Sequence, residues 1–226
     1  VIDEGLDADL VLERGTWSLS GSFSVASGEV VGLLGANGAG KSSVLEALAG
    51  LIPLAGGQVV LDGETLESVP EGGRRTGTYI PPRLRRVGWL PQDAGLLPDR
   101  DVLGNVTYGL CRAGGLPRSE ARRRARSLLA SAGLDHLADR RPHELSGGEA
   151  RRVALVRTLA IDPALVLLDE PLTGIDDESR TSLREQLRTW ATQAGRVTLL
   201  ATHEPADIAE LADRSIRIEE GQIVGA

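Results

Sequence analysis

Val30-Val31-Gly32-Leu33-Leu34-Gly35-Ala36-Asn37-Gly38-Ala39-Gly40-Lys41-Ser42 passes from an apolar run through a glycine-rich turn into a helical stretch that reaches Ala49. Val30 to Leu34 has the unbroken apolar character of a strand buried on both faces. Gly35 to Ser42 fits the spacing G-x-x-x-x-G-K-[ST], in which glycines let backbone N–H groups converge on phosphate oxygens. The helix behind the turn adds the positive end of its dipole. Lys41 is placed to reach the β- and γ-phosphates of a nucleotide, and the Ser42 hydroxyl to ligate Mg²⁺. Gly35, Asn37, Gly38, Ala39, Gly40 and Ser43 complete the expected nucleotide loop.

A second stretch supports the same chemistry. Leu165-Val166-Leu167-Leu168-Asp169-Glu170 is a buried strand that delivers two carboxylates at its C-terminal end. Open α/β sheets bind ligands at that end. Asp169 is expected to hold Mg²⁺ through water. Glu170 is placed to polarise an attacking water, a role worth about 10²–10⁴ in rate.

Further strands are expected within residues 10–27, at Val59–Leu61, Val87–Leu90 and Val197–Ala201, and as a closing hairpin of Ser215–Ile218 with Ile223–Val224. Residues 67–83 read as loop. A helix is expected from Ser119, as N-cap, to Ala132, stopped by Gly133. Strands alternating with helices imply right-handed crossovers and a parallel sheet. The fold expected is α/β, a P-loop NTPase with a RecA-like parallel core, an N-terminal antiparallel β subdomain and an inserted α-helical subdomain. One domain spans 1–226, with 1–92 and 160–226 as core and β subdomain, and 93–159 as helical subdomain and signature helix.

Composition narrows the classes. With 226 residues and 41% apolar content, the chain can bury a sizeable core. No apolar run approaches the roughly 20 residues of a spanning helix, and the acidic N-terminus lacks a signal-peptide pattern. The chain has no Met, so a trimmed or alternative start is expected. A formal charge of -7 argues against a nucleic-acid partner. The arginines at 83, 85 and 86, and at 122–124 and 126, read as solvated faces. Cys111, the single cysteine, excludes an internal disulfide and reads as a small packing residue. Of 25 lysines and arginines, Lys41 is the one lysine, which implies that the loop has room only for a compact ammonium.

Leu145-Ser146-Gly147-Gly148-Glu149 precedes a long helix. It offers a second anion site, with the Ser146 hydroxyl and glycine N–H groups at a helix N-terminus. It resembles the signature motif of ABC ATPases, and the resemblance spans essentially the whole chain. It implies that Ser146, Gly147 and Gly148 cap an ATP held by a second copy, in a head-to-tail dimer on the cytoplasmic face of a membrane, with transmembrane permease subunits as further partners. Gln92 matches the Q-loop glutamine, which senses Mg²⁺ and the γ-phosphate. His203 matches the switch histidine that contacts the γ-phosphate and orients water. Asp176 matches the D-loop aspartate at the dimer interface. Trp17 is the candidate to stack on adenine, with Phe23 as competitor and a plain core role open for either.

The chain departs from the family pattern at three sites: Glu149 in place of Gln, Ser43 in place of Thr, and T-G-I-D, residues 173–176, in place of S-A-L-D, which could soften dimer coupling. Residues 79–110 look like the molybdate, sulfate and iron importer group, and the hairpin before Gly28-Glu29 resembles its molybdate branch most. Such ATPases often carry a C-terminal oxyanion-sensing domain, expected here to be absent or cut away. An exporter cassette, a soluble ABC ATPase and a regulatory ATP-binding module are the alternatives.

Overall fold

The computed structural model describes residues 4–70, 77–175, 177–192 and 195–225. Strands β1 (Gly5–Arg14) and β2 (Trp17–Ala26) form an antiparallel hairpin that pairs Gly5 with Ala26 and Arg14 with Trp17. Leu6, Ala8, Leu10 and Leu12 are buried at every second position of β1, the two-residue period of a strand with one face in the core. Both strands are longer than the short ones expected within residues 10–27. β4 (Gly56–Leu61) and β5 (Glu64–Val69) extend this antiparallel layer. β5 corrects the reading of 67–83 as loop. Its buried Glu67 breaks the apolar alternation that marks a strand.

The parallel block is β3 (Val30–Leu34), β6 (Val87–Leu90), β7 (Leu165–Asp169), β8 (Val197–Ala201) and β9 (Arg214–Glu219). β10 (Gln222–Val224) turns back antiparallel on β9 and joins β2, so the described strands form one ten-stranded sheet in the order β5-β4-β1-β2-β10-β9-β3-β8-β7-β6. The register matters for function. Leu33 pairs with Ala201, Asp169 also pairs with Ala201, and Leu90 pairs with Leu168. The C-terminal ends of four strands therefore reach one edge together. Gly35, His203, Gln92 and Glu170 each follow within two residues.

Two cores clasp the parallel strands. Leu165 and Leu167 of β7 face one, shared with β1, β2 and helix α1 (Lys41–Leu48). Val166 and Leu168 face the other, shared with α5 (Asp177–Thr192) and α6 (Pro205–Leu211). A third core joins α2 (Val102–Arg112), α3 (Arg118–Ser131) and α4 (Gly147–Ala160) through Val102, Val106, Leu129 and Val153. Cys111 packs at its margin. In α3 the cap is Pro117, one residue before the helix, and not Ser119. Proline suits this position because an N-terminal N–H has no helical partner anyway.

One buried ion pair ties α1 to the antiparallel layer. Arg85 is inaccessible to solvent and donates to Glu67 Oε2 at 2.6 Å. It also donates to the carbonyls of Ala47 and Leu48 at the end of α1, and to Ile80. Glu67 in turn accepts the N–H of Leu54. Removing one member of such a pair strands a buried charge, at a cost of about 3–5 kcal/mol. Arg85→Met is therefore expected to lower the unfolding free energy by about that much, measured by denaturant titration. The Arg85→Met/Glu67→Leu double variant is expected to recover part of the loss.

Candidate functional site

The phosphate loop connects β3 to α1. Gly40 caps the helix with φ +108°, a conformation that side chains disfavour. A Cβ there would also lie 2.5 Å from Trp17 Cζ2, so glycine is needed for the indole to pack on the loop. Lys41 is buried, and its Nζ donates to the carbonyls of Gly35 at 2.8 Å and Ala36 at 3.0 Å. An ammonium has three donors, so one proton remains for a phosphate oxygen.

A cavity of about 580 Å³ gathers the expected groups. Asn37, Gly38, Gly40, Lys41, Ser42 and Ser43 form one wall, and Gln92, Asp169, Glu170 and His203 face them, with Trp17 at the margin. Gly35 and Ala39 line an adjoining cleft that also borders Trp17. Phe23 is buried in the core and lines neither space. Arg14 also lines the cavity. It went unnoticed in the sequence, where it is only the last residue before the Gly15 turn. Asp176 lies outside the described residues.

The carboxylates differ in setting. Asp169 is buried and accepts a hydrogen bond from the Ser42 hydroxyl. Burial pushes its carboxyl above the usual range, and Glu170 adds to that; the Ser42 bond, Arg151 and Lys41 pull the other way. A buried carboxylate beside a hydroxyl and an amide oxygen is a hard-oxygen donor set suited to Mg²⁺. The described residues contain no cluster of three or more acidic, His or Cys ligands. Mg²⁺ typically needs only one or two carboxylates together with substrate phosphates.

Glu170 takes φ +50°, in the left-handed region, with its N–H bonded to Ala201 O at 2.8 Å. His203 Nδ1 lies 2.9 Å from both of its carboxylate oxygens, and Thr173 Oγ1 donates to Oε2 at 2.9 Å. The carboxylate is thus held from two sides at the cavity wall. The hydrogen bond to Glu170, and then its charge, raise the imidazole above its ordinary pKa. Thr173 carries no motif signal of this role beyond standing three residues after Glu170.

Ser146, Gly147 and Gly148 begin α4 and do not line the cavity. Ser146 Oγ accepts the Glu149 N–H, and Glu149 Oε2 accepts the Ser146 N–H, a reciprocal cap. The backbone bond to Ser146 is the main cause holding the Glu149 carboxyl below its usual range. Arg151, one turn further along, is buried and donates to backbone carbonyls beside both Gln92 and Glu170. Its burial pushes the guanidinium down from its usual value, with Asp169 and Glu170 opposing.

Comparison with known proteins follows this geometry. A family model described as "ABC transporter" matches residues 20–173. The molybdenum import ATP-binding protein ModC of Mycobacterium tuberculosis is 43% identical over 204 residues, covering 89% of this chain and 54% of that one. The Fe(3+) ions import ATP-binding protein FbpC of Streptomyces avermitilis is 45% identical over 201 residues, covering 89% and 55%. The chain thus spans about half the length of these curated relatives. A solved dimeric ATP-binding cassette, in a post-hydrolysis state with ADP and Pi, superposes with a TM-score of 0.80 at 24% identity, covering 97% of both chains. That likeness establishes the fold expected from the sequence.

The His203–Glu170 contact has a measurable consequence in the nucleotide-free protein. His203 should titrate above about 6.5, the ordinary imidazole value. Because the folded value is the raised one, its stabilising contribution is complete below the unfolded value. That contribution disappears as pH rises through the folded value. In NMR titrations, Glu170→Gln is expected to return His203 toward the ordinary value. An unchanged midpoint would mean that the contact is absent in solution.

Proposed function

The chain belongs to the ABC transporter family, and on that premise we propose that it binds and hydrolyses ATP as the nucleotide-binding subunit of an importer. The observation that carries this reading is the meeting of Lys41, Ser42, Gln92, Asp169, Glu170 and His203 in one cavity, with the Ser146 helix end outside it. A phosphate site that its own chain leaves half built is completed by the Ser146 loop of a second, head-to-tail copy. Two copies then enclose two ATP molecules. Asp176 belongs to the interface between them. Residues 1–92 and 160–226 form the nucleotide-binding core and β subdomain, and 93–159 the helical subdomain.

Within each site the loop N–H groups and Lys41 hold the β- and γ-phosphates. Ser42, Asp169 and Gln92 are the residues that would hold Mg²⁺, which when bound neutralises phosphate charge. Glu170 takes a proton from water as that water attacks the γ-phosphorus in line. The bond from phosphorus to the bridging oxygen breaks, leaving ADP and phosphate. His203 holds the Glu170 carboxylate and reaches toward the γ-phosphate. Trp17 stacks on adenine.

Closure draws its energy from the tighter binding of ATP by the closed pair, because a ligand shifts an equilibrium only by its differential affinity. Exposed Leu51 and Tyr79, beside the end of α1, offer apolar surface to transmembrane permease subunits. No helix among the described residues is long and apolar enough to cross a membrane. The likeness to import ATP-binding proteins supports a peripheral place on the cytoplasmic face, where permease subunits hold the chain. The relatives named for molybdenum and iron import support import, and the one named for molybdenum favours molybdate or a related oxyanion as cargo.

Two measurements test this. Light scattering of Glu170→Gln should show a monomer that becomes a dimer only with MgATP, and Ser146→Arg in that background should abolish the shift. A species that stays monomeric at high protein and ATP concentrations would remove the shared-site mechanism. Separately, Trp17→Ala should weaken binding of ATP and ADP alike roughly tenfold, equivalent to about 1.4 kcal/mol, because the two share the stacked base.

A further inference from the structure

Arg151 stands five residues after the Ser146 cap and is 4% exposed. A guanidinium carries five N–H donors in a rigid plane. Here every one of the five is directed at a backbone carbonyl. Nε donates to Pro171 O at 3.2 Å. One terminal nitrogen donates to Pro91 O at 2.5 Å and Gln92 O at 3.0 Å. The other donates to the carbonyls of Asp169 and Glu170.

These carbonyls belong to two chain segments leaving neighbouring strands, β6 and β7. One segment carries Gln92 and the other Asp169 and Glu170. The Glu170 peptide is held at both ends, its N–H by Ala201 O and its C=O by Arg151. A non-glycine residue in the left-handed region persists where its surroundings over-determine it, and these two bonds do so. Arg157, further along the same helix, donates to Ala94 O and Gly95 O and so pins the far side of the Gln92 loop.

We propose that Arg151 is a positioning residue for ATP hydrolysis, which locks Gln92 and Glu170 to the helix that begins at Ser146. The inference rests on the ATPase reading above and deepens it. Helical rise places the guanidinium's Cα about 7.5 Å along the axis from Ser146. Any displacement of the Ser146 loop by the neighbouring copy's nucleotide is therefore carried by a short rigid strut to the water-activating carboxylate. The same strut reaches the glutamine of the chain's own site. Lysine cannot replace it, because an ammonium has three donors at one point and the five carbonyls surround a plane.

The test compares steady-state ATP hydrolysis by the full chain with Arg151→Lys and Arg151→Met. Arg152→Lys serves as control, since Arg152 donates only to Ala132 O within the helical unit. Thermal unfolding and circular dichroism set the folded fraction of each variant. Arg151→Lys is expected to lower kcat about 10- to 100-fold per folded molecule, the cost of misplacing a catalytic group by about 1 Å. Its KM for ATP should stay within about threefold, because the phosphate loop is untouched. Arg151→Met should lose at least as much, and Arg152→Lys should keep its kcat.

If kcat per folded molecule stays within twofold of the parent in both Arg151 variants, the proposal is overturned. A loss equal to the unfolded fraction overturns it as well, since that marks a purely structural role. If the parent protein itself fails to hydrolyse ATP, the ATPase reading fails first, and this proposal with it.

Discussion

Everything in the site depends on the alignment of parallel strand ends. Strands buried on both faces disfavour polar side chains along their length, so most polar groups collect where the strands stop. The pairing of Leu33 and Asp169 with Ala201, and of Leu90 with Leu168, brings four stops to one edge. A shift of one strand by one residue would turn its side chains to the opposite face and carry Glu170 or His203 away from Lys41. The apolar runs of β3, β7 and β8 thus do more than fill a core: by fixing register, they fix the distances among groups that lie outside them.

Strand ends aligned in this way also expose rows of carbonyls whose ladder partners have run out, and a buried carbonyl needs a donor. This chain answers with arginine. Arg151 serves five carbonyls at or just past the ends of β6 and β7, Arg157 serves two in the loop after β6, and Arg85 does the same work for Ile80 and for Ala47 and Leu48 at the end of α1. A planar fork with five donors suits this task and a point charge does not. The phosphate loop has the opposite need. Lys41 opens α1, and its ammonium donates to Gly35 and Ala36 while keeping a third proton for the cavity.

Much of the parallel core was readable from the sequence because its signals are local. Val30–Leu34 and Leu165–Leu168 are unbroken apolar runs, Val197–Ala201 is apolar but for Thr198, and the phosphate loop carries its signal in a fixed spacing of glycines, Lys41 and Ser42. β1 was shortened because Asp7 and Asp9 drew attention away from Leu6, Ala8, Leu10 and Leu12, which alternate inward without a break. β5 was missed because Glu67 faces inward, a choice that makes sense only once Arg85 is known to be opposite it. Arg151 carries no signal of its role in the sequence. Its partners are carbonyls from segments 59 and 18 residues away, and backbone atoms leave no trace in a sequence. What stayed hidden was polar burial, which is decided by tertiary partners and not by periodicity.

The Ser146 loop, proposed above as a second phosphate site, is built differently. Four N–H groups at the start of α4 lack helical partners. Glu149 and Ser146 already engage two donors of this turn through their reciprocal cap, which leaves the N–H groups of Gly147 and Gly148 to meet an anion. The ionised Glu149 lies beside them, where the commoner residue of the family is neutral, and its charge offsets part of the helix dipole's attraction for phosphate. On the proposed reading, this loop supplies the extra affinity for ATP that closes two copies together. A cap that stabilises the helix while weakening its pull on phosphate leaves the clamp able to close on a nucleotide carrying three phosphates. It also lets the clamp release more readily once the third is gone. The same carboxylate thus serves the fold of α4 and limits the hold of that helix on its ligand.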